Sequence, residues 1–565
     1  MVTDNVNGSE DNAPFVGQMQ LINGEQIICR PGEITLFVGP NNAGKTYFLK
    51  TLRALLYGKS PDGNDFSDSV LEALTVDWLI RGTRGKELLL RRMEKYRGGN
   101  GYYNVPRRQT SVSSNFVTET SVYDALNSPD VLGDLAELFV SFDDVGDRLN
   151  ETKPQRQAAP RDQQSLIQQA WEHPAVFEEF SEKFLRVFGE ETSYYNLGWG
   201  EIGLLLAPAL KSASTLSEPL SPLTREHMEN SPKLWEQGYG MRSVAGLLLR
   251  IYAGESSIVL IDEPEAFLHP PQASALGSVL ADVATMKNKQ IFVATHDRNF
   301  IASLIRSSRT PLQIVRLSRR GELPEATLLD SDSIRSAQRA SEIRFTPFLD
   351  SLFADLTILV ENERDAVFYD EAFRSFAESS TDPDIRSLPD RVLFLSGGGF
   401  PGIPRLAHAL TEMGIKVRTI ADFDVLFDPR LPHLVKALAG EDAFPELEDL
   451  VSELEKADRD LADEQKRRGD KPSTKKVGIF STDERFNELA EQVLDQLDEI
   501  GIHLLHEGEL ENLLNSKKGR KKGGSKLARA LEDEVYALEP AQTLIRRVIA
   551  NAFKVKENLV ETAER

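Results

Sequence analysis

Apolar and polar positions along this 565-residue chain fall into two recurring patterns. Short, nearly continuous apolar runs of strand length give way to stretches in which apolar residues return every three or four positions, the spacing of one helix face. "EITLFVG" (33–39) is the first such run, and a helix is predicted to begin near Lys45. From 257 to 317 the order is strand, helix, strand, helix, strand: "SIVLID", "PQASALGSVLADVATM", "QIFVATH", "RNFIASLIRSS", "LQIVRLS". This alternation predicts a parallel α/β sheet. A second series opens with "LTILVEN" and continues through "RDAVFYDEAFRSFA", "RVLFLSGGG", "GIPRLAHALTEMG" and "KVRTIADFD". The whole chain is therefore read as α/β, divided into 1–345 and 346–565, with a helical extension at the C-terminal end.

Between these series the pattern weakens. Residues 95–235 contain the Gly-rich "RGGNGYYN", the Pro-rich "KPQRQAAPRDQQ" and the amphipathic "VFEEFSEKFLRVFG", and are read as an insertion of helices and loops. Residues 331–350 are predicted to form a helical connector. "PELEDLVSELEKADRDLADEQKRRGD" is predicted to be a solvated, charge-laced helix.

Composition narrows the classes. Apolar content of 40% with 27% charged residues suits a folded chain with several cores. The balance of 66 basic against 88 acidic residues gives −22, so the average surface repels nucleic acid, and a polyanion needs a local basic patch or bound cations. A single cysteine, Cys29, excludes a disulfide framework and a Cys-rich zinc site. The first residues lack the apolar core of a secretory signal, and no apolar run approaches the ~18 residues of a membrane span. A cytoplasmic protein without membrane contact is expected.

"GPNNAGKT" (39–46) lies between a predicted strand and helix and fits a phosphate-binding loop. Gly39, Asn41, Asn42 and Gly44 carry the backbone around a polyphosphate, Lys45 neutralises its outer oxygens, and Thr46 ligates magnesium. In "SIVLIDEPEAFLHP" (257–270) an apolar strand ends in Asp262 and Glu263. Asp262 is placed to hold magnesium and Glu263 to polarise an attacking water. One strand-helix unit later, His296 is placed to sense the terminal phosphate of ATP.

These motifs resemble the ABC-type ATPases, close to the head domains of the SMC proteins. In that family a Gly-rich signature of one subunit caps the nucleotide of another. "QGYGMRS" (237–243) stands where the signature would, with Gly238, Gly240 and Ser243 retained. The resemblance implies homo-oligomers formed through the ATPase domain. The order of motifs, with no assignable arginine finger, sets the chain outside the AAA+ class.

The second half has its own acids. Glu361 ends one predicted strand, and Asp365 follows one turn into the next helix, on the same side. In "TIADFD" the strand 417–421 runs into Asp422 and Asp424, whose carboxylates would point the same way on an extended chain. Strand ends of an open α/β sheet converge, so Glu361, Asp365, Asp422 and Asp424 form a candidate oxygen-only site for Mg²⁺ or Mn²⁺. This arrangement resembles the TOPRIM domain, which carries out metal-dependent phosphoryl transfer on nucleic acids. Asn362 stands where that family has Gly, and Asn tolerates the left-handed turn Gly would supply. "HLLHEGELENLL" (503–514) adds Glu507, Glu509 and Glu511, of which Glu509 and Glu511 are the candidate ligands of a second cation. "KKGRKKGGSK" (517–526) holds Lys517, Lys518, Arg520, Lys521 and Lys522 for phosphate-backbone contact, and Lys526 to reach a scissile phosphate.

An ABC-type ATPase followed by a TOPRIM domain resembles the OLD (overcoming lysogenisation defect) nucleases. Relatives of that family include the nuclease subunit of the Gabija anti-phage system and effectors encoded beside retron reverse transcriptases. The resemblance implies ATP and Mg²⁺ or Mn²⁺ as cofactors and ATP-regulated, metal-dependent cutting of DNA in anti-phage defence. Partners would be a reverse transcriptase with its non-coding RNA, or a helicase-like protein. A ribonuclease acting on tRNA and a non-cleaving SMC-like DNA clamp stand as alternatives.

Overall fold

The computed structural model describes residues 12–58, 70–80, 82–97, 102–105, 115–128, 130–156, 164–196, 200–208, 222–307, 310–320, 323–329, 348–440, 443–468, 483–506, 531 and 534–553. The chain divides into two compact units, Met1–Ser331 and Asp332–Arg565. Among the described residues no helix is long and apolar enough to cross a membrane.

The first unit is organised by a six-stranded sheet. Its elements in chain order are β1 (Ile34–Val38), α1 (Lys45–Leu56), β2 (Val140–Asp143), α2 (Val145–Glu151), α3 (Tyr239–Tyr252), β3 (Ile258–Asp262), α4 (Pro270–Lys287), β4 (Gln290–Ala294), α5 (Arg298–Arg306), β5 (Leu312–Arg320) and β6 (Leu323–Leu329). The strand order is β6-β5-β1-β4-β3-β2, parallel except for the edge strand β6. All five residues of β1 and of β4 are buried, as their continuous apolar runs require of central parallel strands. Phe37 of β1 packs on Phe48 of α1, with ring centroids 4.3 Å apart, and on Phe292 of β4 at 6.4 Å. Truncating such a fully buried phenylalanine to alanine costs ~3–5 kcal/mol. The core therefore lies directly beneath the loop that joins β1 to α1.

The stretch 95–235 contains more than helices and loops. Strand β2 lies within it and pairs in parallel with β3, Ile258 opposite Val140 and Ile261 opposite Asp143. Its sequence "VSFD" hides this, because Ser141 and Asp143 are polar yet buried, and four residues with two polar members form no apolar run. Small antiparallel pairings also occur there, Tyr102–Val105 with Asn115–Thr118, and Glu201–Leu206 with both Gln155–Arg156 and Thr192–Tyr195. The amphipathic stretch is a helix, Pro174–Phe188, burying Phe177, Phe180, Phe184 and Val187 on one face.

The second unit is built on a four-stranded, wholly parallel sheet. Its elements are β7 (Leu356–Val360), α6 (Glu363–Ser379), β8 (Val392–Ser396), α7 (Ile403–Glu412), β9 (Val417–Ala421), α8 (Leu431–Ala439), α9 (Ala443–Arg468), α10 (Glu484–Ile500), β10 (Ile502–Leu504) and α11 (Glu539–Phe553). The strand order is β8-β7-β9-β10. Helix α9 is not merely solvated: Leu447, Val451 and Leu454 are buried, at a spacing that places them on one face, and the helix packs on α10. Of the connector expected over 331–350, residues 331–347 lie outside the described residues, and Phe348–Phe353 is a short 3₁₀ segment.

Candidate functional site

In the first unit the site begins at the end of β1. Gly39 has φ +145, and a Cβ there would lie 2.0 Å from the Leu317 carbonyl oxygen, so only glycine lets the loop pass β5. Asn42 at φ 65 and Gly44 at φ 88 supply further left-handed turns of the loop, the kind of backbone that forms anion-binding nests. Lys45 folds back over the loop, its Nζ donating to the Gly39 and Pro40 carbonyls at 2.9 Å each. Burial pulls the Lys45 ammonium below its ordinary value, while Glu263, Glu265 and Asp262 oppose the change. A partly desolvated ammonium folded over such a loop attracts a polyphosphate.

The ends of β1 and β3 meet through side chains. Thr46 Oγ1 lies 2.9 Å from Asp262 Oδ2 and 3.1 Å from Oδ1 and donates its proton to that carboxylate. Burial pushes Asp262 above the usual carboxylate range; the Thr46 hydrogen bond opposes this, and the Glu263 charge adds to it. Thr46 and Asp262 are the oxygen pair that would share a magnesium ion. Glu263, at φ 47, is in a left-handed conformation rare for a side-chain-bearing residue. His296 Nδ1 lies 3.4 Å from both Glu263 Oε1 and Glu265 Oε1, so the three side chains form one cluster above the strand ends.

Two groups here are invisible in the sequence. Glu265 is buried, its Oε1 accepting from Thr295 Oγ1 at 2.8 Å and from the His296 amide at 3.0 Å, and burial raises its carboxyl. Arg148 of α2 is fully buried, and its Nη2 donates to the Asp262 carbonyl at 2.6 Å and the Glu263 carbonyl at 3.0 Å. Its counter-ion is Asp143 at the end of β2, 3.6 Å away, which also pairs with Arg250 of α3 at 3.2 Å. Burial pushes the Asp143 carboxyl up and the two guanidinium groups oppose it. Arg250 in turn pairs with Glu151 at 2.9 Å. No spacing rule links an arginine to carbonyls more than a hundred residues away.

The Gly-rich "QGYGMRS" does open a helix. Gly238 is the N-cap of α3, with open space where a Cβ would point. Gly240 serves packing, since a Cβ there would lie 2.6 Å from the Phe267 carbonyl oxygen. Ser243 is fully buried in the helix and faces no open site. Tyr239 and Phe267, both exposed, pack beside this helix start with tilted rings whose centroids are 5.4 Å apart.

In the second unit, carboxylate oxygens of Glu361, Asp422 and Asp424 lie within 4.8 Å of one another. Strand ends position them: Glu361 follows β7, and Asp422 follows β9. The two aspartates do not sit on an extended strand. The strand stops at Ala421, Asp422 is the residue that precedes a 3₁₀ turn over Phe423–Phe427, and Asp424 lies in its first turn. The Asp422 amide donates to Glu361 Oε1 at 3.2 Å. Burial pushes the Glu361 carboxyl up; the Asp422 amide opposes this, and the charges of Asp424, Asp365 and Asp428 add to it. Three clustered carboxylates, one of them destabilised as an anion, suit a hard divalent cation.

Asp365 makes a helix cap. Its Oδ2 accepts from the Asn362 amide at 3.2 Å and from Asn362 Nδ2 at 2.7 Å, closing a capping box at the start of α6. Asn362 itself is extended, at φ −140, so it replaces no left-handed glycine; it is chosen for its cap. The left-handed positions are instead Gly398 and Gly399 after β8, and the Gly399 amide donates to the Glu361 carbonyl at 2.5 Å. Glu507, Glu509, Glu511, Lys517, Lys518, Arg520, Lys521, Lys522 and Lys526 lie outside the described residues.

Residues 100–302 match the family model described as "AAA domain, putative AbiEii toxin, Type IV TA system". That match does not uphold the exclusion of the AAA+ class drawn from the order of motifs. No curated protein matches the chain. Among solved structures, the chain is similar to the SMC head bound to the C-winged helix domain of ScpA (14% identity, 57% of this chain and 99% of that one, TM-score 0.35). It is also similar to the SMC head domain from Thermotoga maritima (14%, 57% and 98%, TM-score 0.29). A third is cbiO1 from Clostridium perfringens, part of the ABC transporter complex cbiONQ (12%, 51% and 80%, TM-score 0.23).

Proposed function

We propose that this chain is an ATP-hydrolysing, metal-dependent endonuclease that cuts DNA, with its two chemistries in separate units. The observation that carries the nuclease half is the convergence of Glu361, Asp422 and Asp424 at the ends of neighbouring parallel strands. A nucleotide site has no use for a second acid cluster in another unit.

In the ATPase half, the loop amides and Lys45 bind the polyphosphate and orient its last bond. Thr46 and Asp262 would hold a magnesium ion, which supplies charge neutralisation at the outer phosphates. Glu263 accepts the proton of the attacking water, and His296, within the same cluster, holds that carboxylate in place. The exposed start of α3, with Gly238 at its cap and Tyr239 beside Phe267, supports an ATP-dependent contact with a second copy.

In the nuclease half, Glu361, Asp422 and Asp424 would hold one or two divalent cations, which supply Lewis-acid stabilisation of an in-line displacement at phosphorus. The Gly399 amide fixes the Glu361 backbone, and the Asp422 amide fixes its carboxylate. A role in anti-phage defence rests on the resemblance to the OLD nucleases. Incubating the purified protein with supercoiled plasmid and with total tRNA, each with Mg²⁺ or Mn²⁺ and with or without ATP, tests the reading. Nicked or linear plasmid is the expected product. Degraded tRNA beside intact plasmid would move the substrate to RNA, and intact samples of both would overturn the nuclease.

A further inference from the structure

Helices α7 and α8 pack against each other and bury their apolar faces, Leu406, Ala407 and Leu410 on one and Leu434 and Val435 on the other. Other residues of the two helices line a cleft of ≈ 1030 Å³ together with the glycine turn Gly397–Gly398. The lining is basic. Arg405 and His408 stand three residues apart on α7, and Arg430 at the N-cap of α8 is followed at the same interval by His433 and Lys436 within it, with Glu412 as the acid. Residues three apart share a helix face, so each helix offers one stripe to the cleft. Across the whole chain acids outnumber bases 88 to 66, whereas Arg405, Lys436 and two histidines line this cleft with Glu412, and Arg430 is paired with Asp428 at its edge.

Two of the segments that line the cleft run on to residues bonded to, or acting on, Glu361 of the acid cluster. The lining turn Gly397–Gly398 continues to Gly399, whose amide donates to the Glu361 carbonyl. On the other side Arg430 pairs through Nε with Asp428 Oδ1 at 2.9 Å, and the Asp428 charge is one of those acting on Glu361. Six residues of helix span ~9 Å, roughly three base steps of a nucleic-acid strand. A stripe of that length is suited to successive phosphates rather than to one small anion.

We infer that the α7/α8 cleft is the track along which a nucleic-acid strand lies, its phosphodiester backbone against Arg405, Arg430 and Lys436, as it enters the Glu361–Asp422–Asp424 site. This deepens the nuclease reading and rests on it for the direction of the strand, whereas binding itself is measured without cleavage. The Gly398 position, where a Cβ would meet nothing within 4 Å, leaves the backbone open to close approach by the strand.

The test uses the full chain in EDTA and labelled duplex DNA, single-stranded DNA and tRNA. Arg405→Glu with Lys436→Glu should weaken binding of the preferred probe at least tenfold and reduce the salt slope by about two, one for each phosphate contact removed. Glu412→Lys should tighten binding, a gain that misfolding does not produce. Cys29 is buried, so Thr411→Cys provides an accessible thiol within the cleft, and saturating nucleic acid should slow its labelling by maleimide. Unchanged affinity in the double variant, equal labelling with and without probe, or no binding of any probe by the wild-type chain would each overturn the cleft. Binding that follows these charge changes in a protein that cuts nothing would retain the cleft and reject the nuclease.

Discussion

Arg148 clamps the backbone of Glu263: Nη2 of the buried guanidinium donates to the Glu263 carbonyl at 3.0 Å, while the Glu263 residue itself stands at φ 47. A non-glycine residue in that region costs ~1–3 kcal/mol and persists only where its surroundings over-determine it. Three groups do so here. The Glu263 amide donates to the Ala294 carbonyl at 2.9 Å, Arg148 bridges two successive carbonyls, and Asp143 holds Arg148 in place. The strain is therefore located at the carboxylate assigned to the attacking water, and its restraint reaches α3 through Arg250.

Removing that clamp should separate binding from turnover. Arg148→Met leaves the Gly39–Thr46 loop untouched, so nucleotide affinity should stay within about threefold, whereas ATP turnover should fall ~10–100-fold, in line with the loss of a positioning contact. Asp143 then retains Arg250 as its partner in a fully buried setting, and the first unit should lose ~3–5 kcal/mol. Arg148→Lys keeps the charge and one donor and should recover part of the turnover. Equal losses of affinity and turnover would show that Arg148 only supports the fold.

The nucleotide site itself makes a sharper pair. Lys45→Ala removes the ammonium that lies over the loop, and binding of ATP should disappear. Glu263→Gln keeps the backbone contacts and the side-chain size but not the basic oxygen, so ATP should bind and persist unhydrolysed. Isothermal titration beside a phosphate-release assay distinguishes the two. Appreciable hydrolysis by Glu263→Gln would transfer the proton-accepting role elsewhere, with His296 next in line at 3.4 Å.

The parts of these sites that were legible in sequence are those whose geometry is local. Eight consecutive residues form the loop around Lys45, and short apolar runs deliver Asp262, Glu361 and Asp422 to strand ends, so position along the chain reports position in space. Arg148 is the opposite case. It acts on carbonyl oxygens that every residue possesses, 114 and 115 positions away, and leaves no pattern of residue types. Strand β2 was hidden for a related reason: buried Asp143 reads as a surface acid until its two arginines are in view. At Asp365 sequence alone is ambiguous, because a cap and a ligand both use an acid one turn into a helix, and the hydrogen bonds from Asn362 that make it a cap are visible only in the structure.

Glu33, at the entry to β1, should make the first unit pH-sensitive. Burial pushes its carboxyl up to about 6 from 4.5, against the opposing hydrogen bond in which its Oε2 accepts from the Arg30 amide at 2.9 Å. A carboxyl raised on folding is comfortable while protonated, so its contribution is fully present below pH 4.5 and is lost as pH rises through about 6. Glu33→Gln keeps the Arg30 hydrogen bond without the charge. The variant should melt higher than wild type at pH 8 and together with it at pH 4.5. A stabilisation that grows as pH falls would reverse the assignment.

The acid cluster can be tested without relying on cleavage alone. Glu361, Asp422 and Asp424 repel one another at 4.8 Å or less, so an empty cluster weakens the second unit, and a cation that neutralises it adds stability by mass action. Asp424→Asn should therefore raise the melting temperature in EDTA, because one of the repelling charges is gone, and should abolish the further rise that Mg²⁺ or Mn²⁺ gives the wild-type chain. Asp422→Asn and Glu361→Gln should behave alike, and each should reduce nicking of DNA by orders of magnitude while ATP hydrolysis in the first unit continues. Asp365→Asn is the internal control: its Oδ1 can still accept from Asn362, and it should retain most of the cation response. If the three cluster variants keep both the melting rise with Mg²⁺ or Mn²⁺ and the cutting rate of wild type, the carboxylates are a turn that happens to be acidic, and the nuclease reading falls with them.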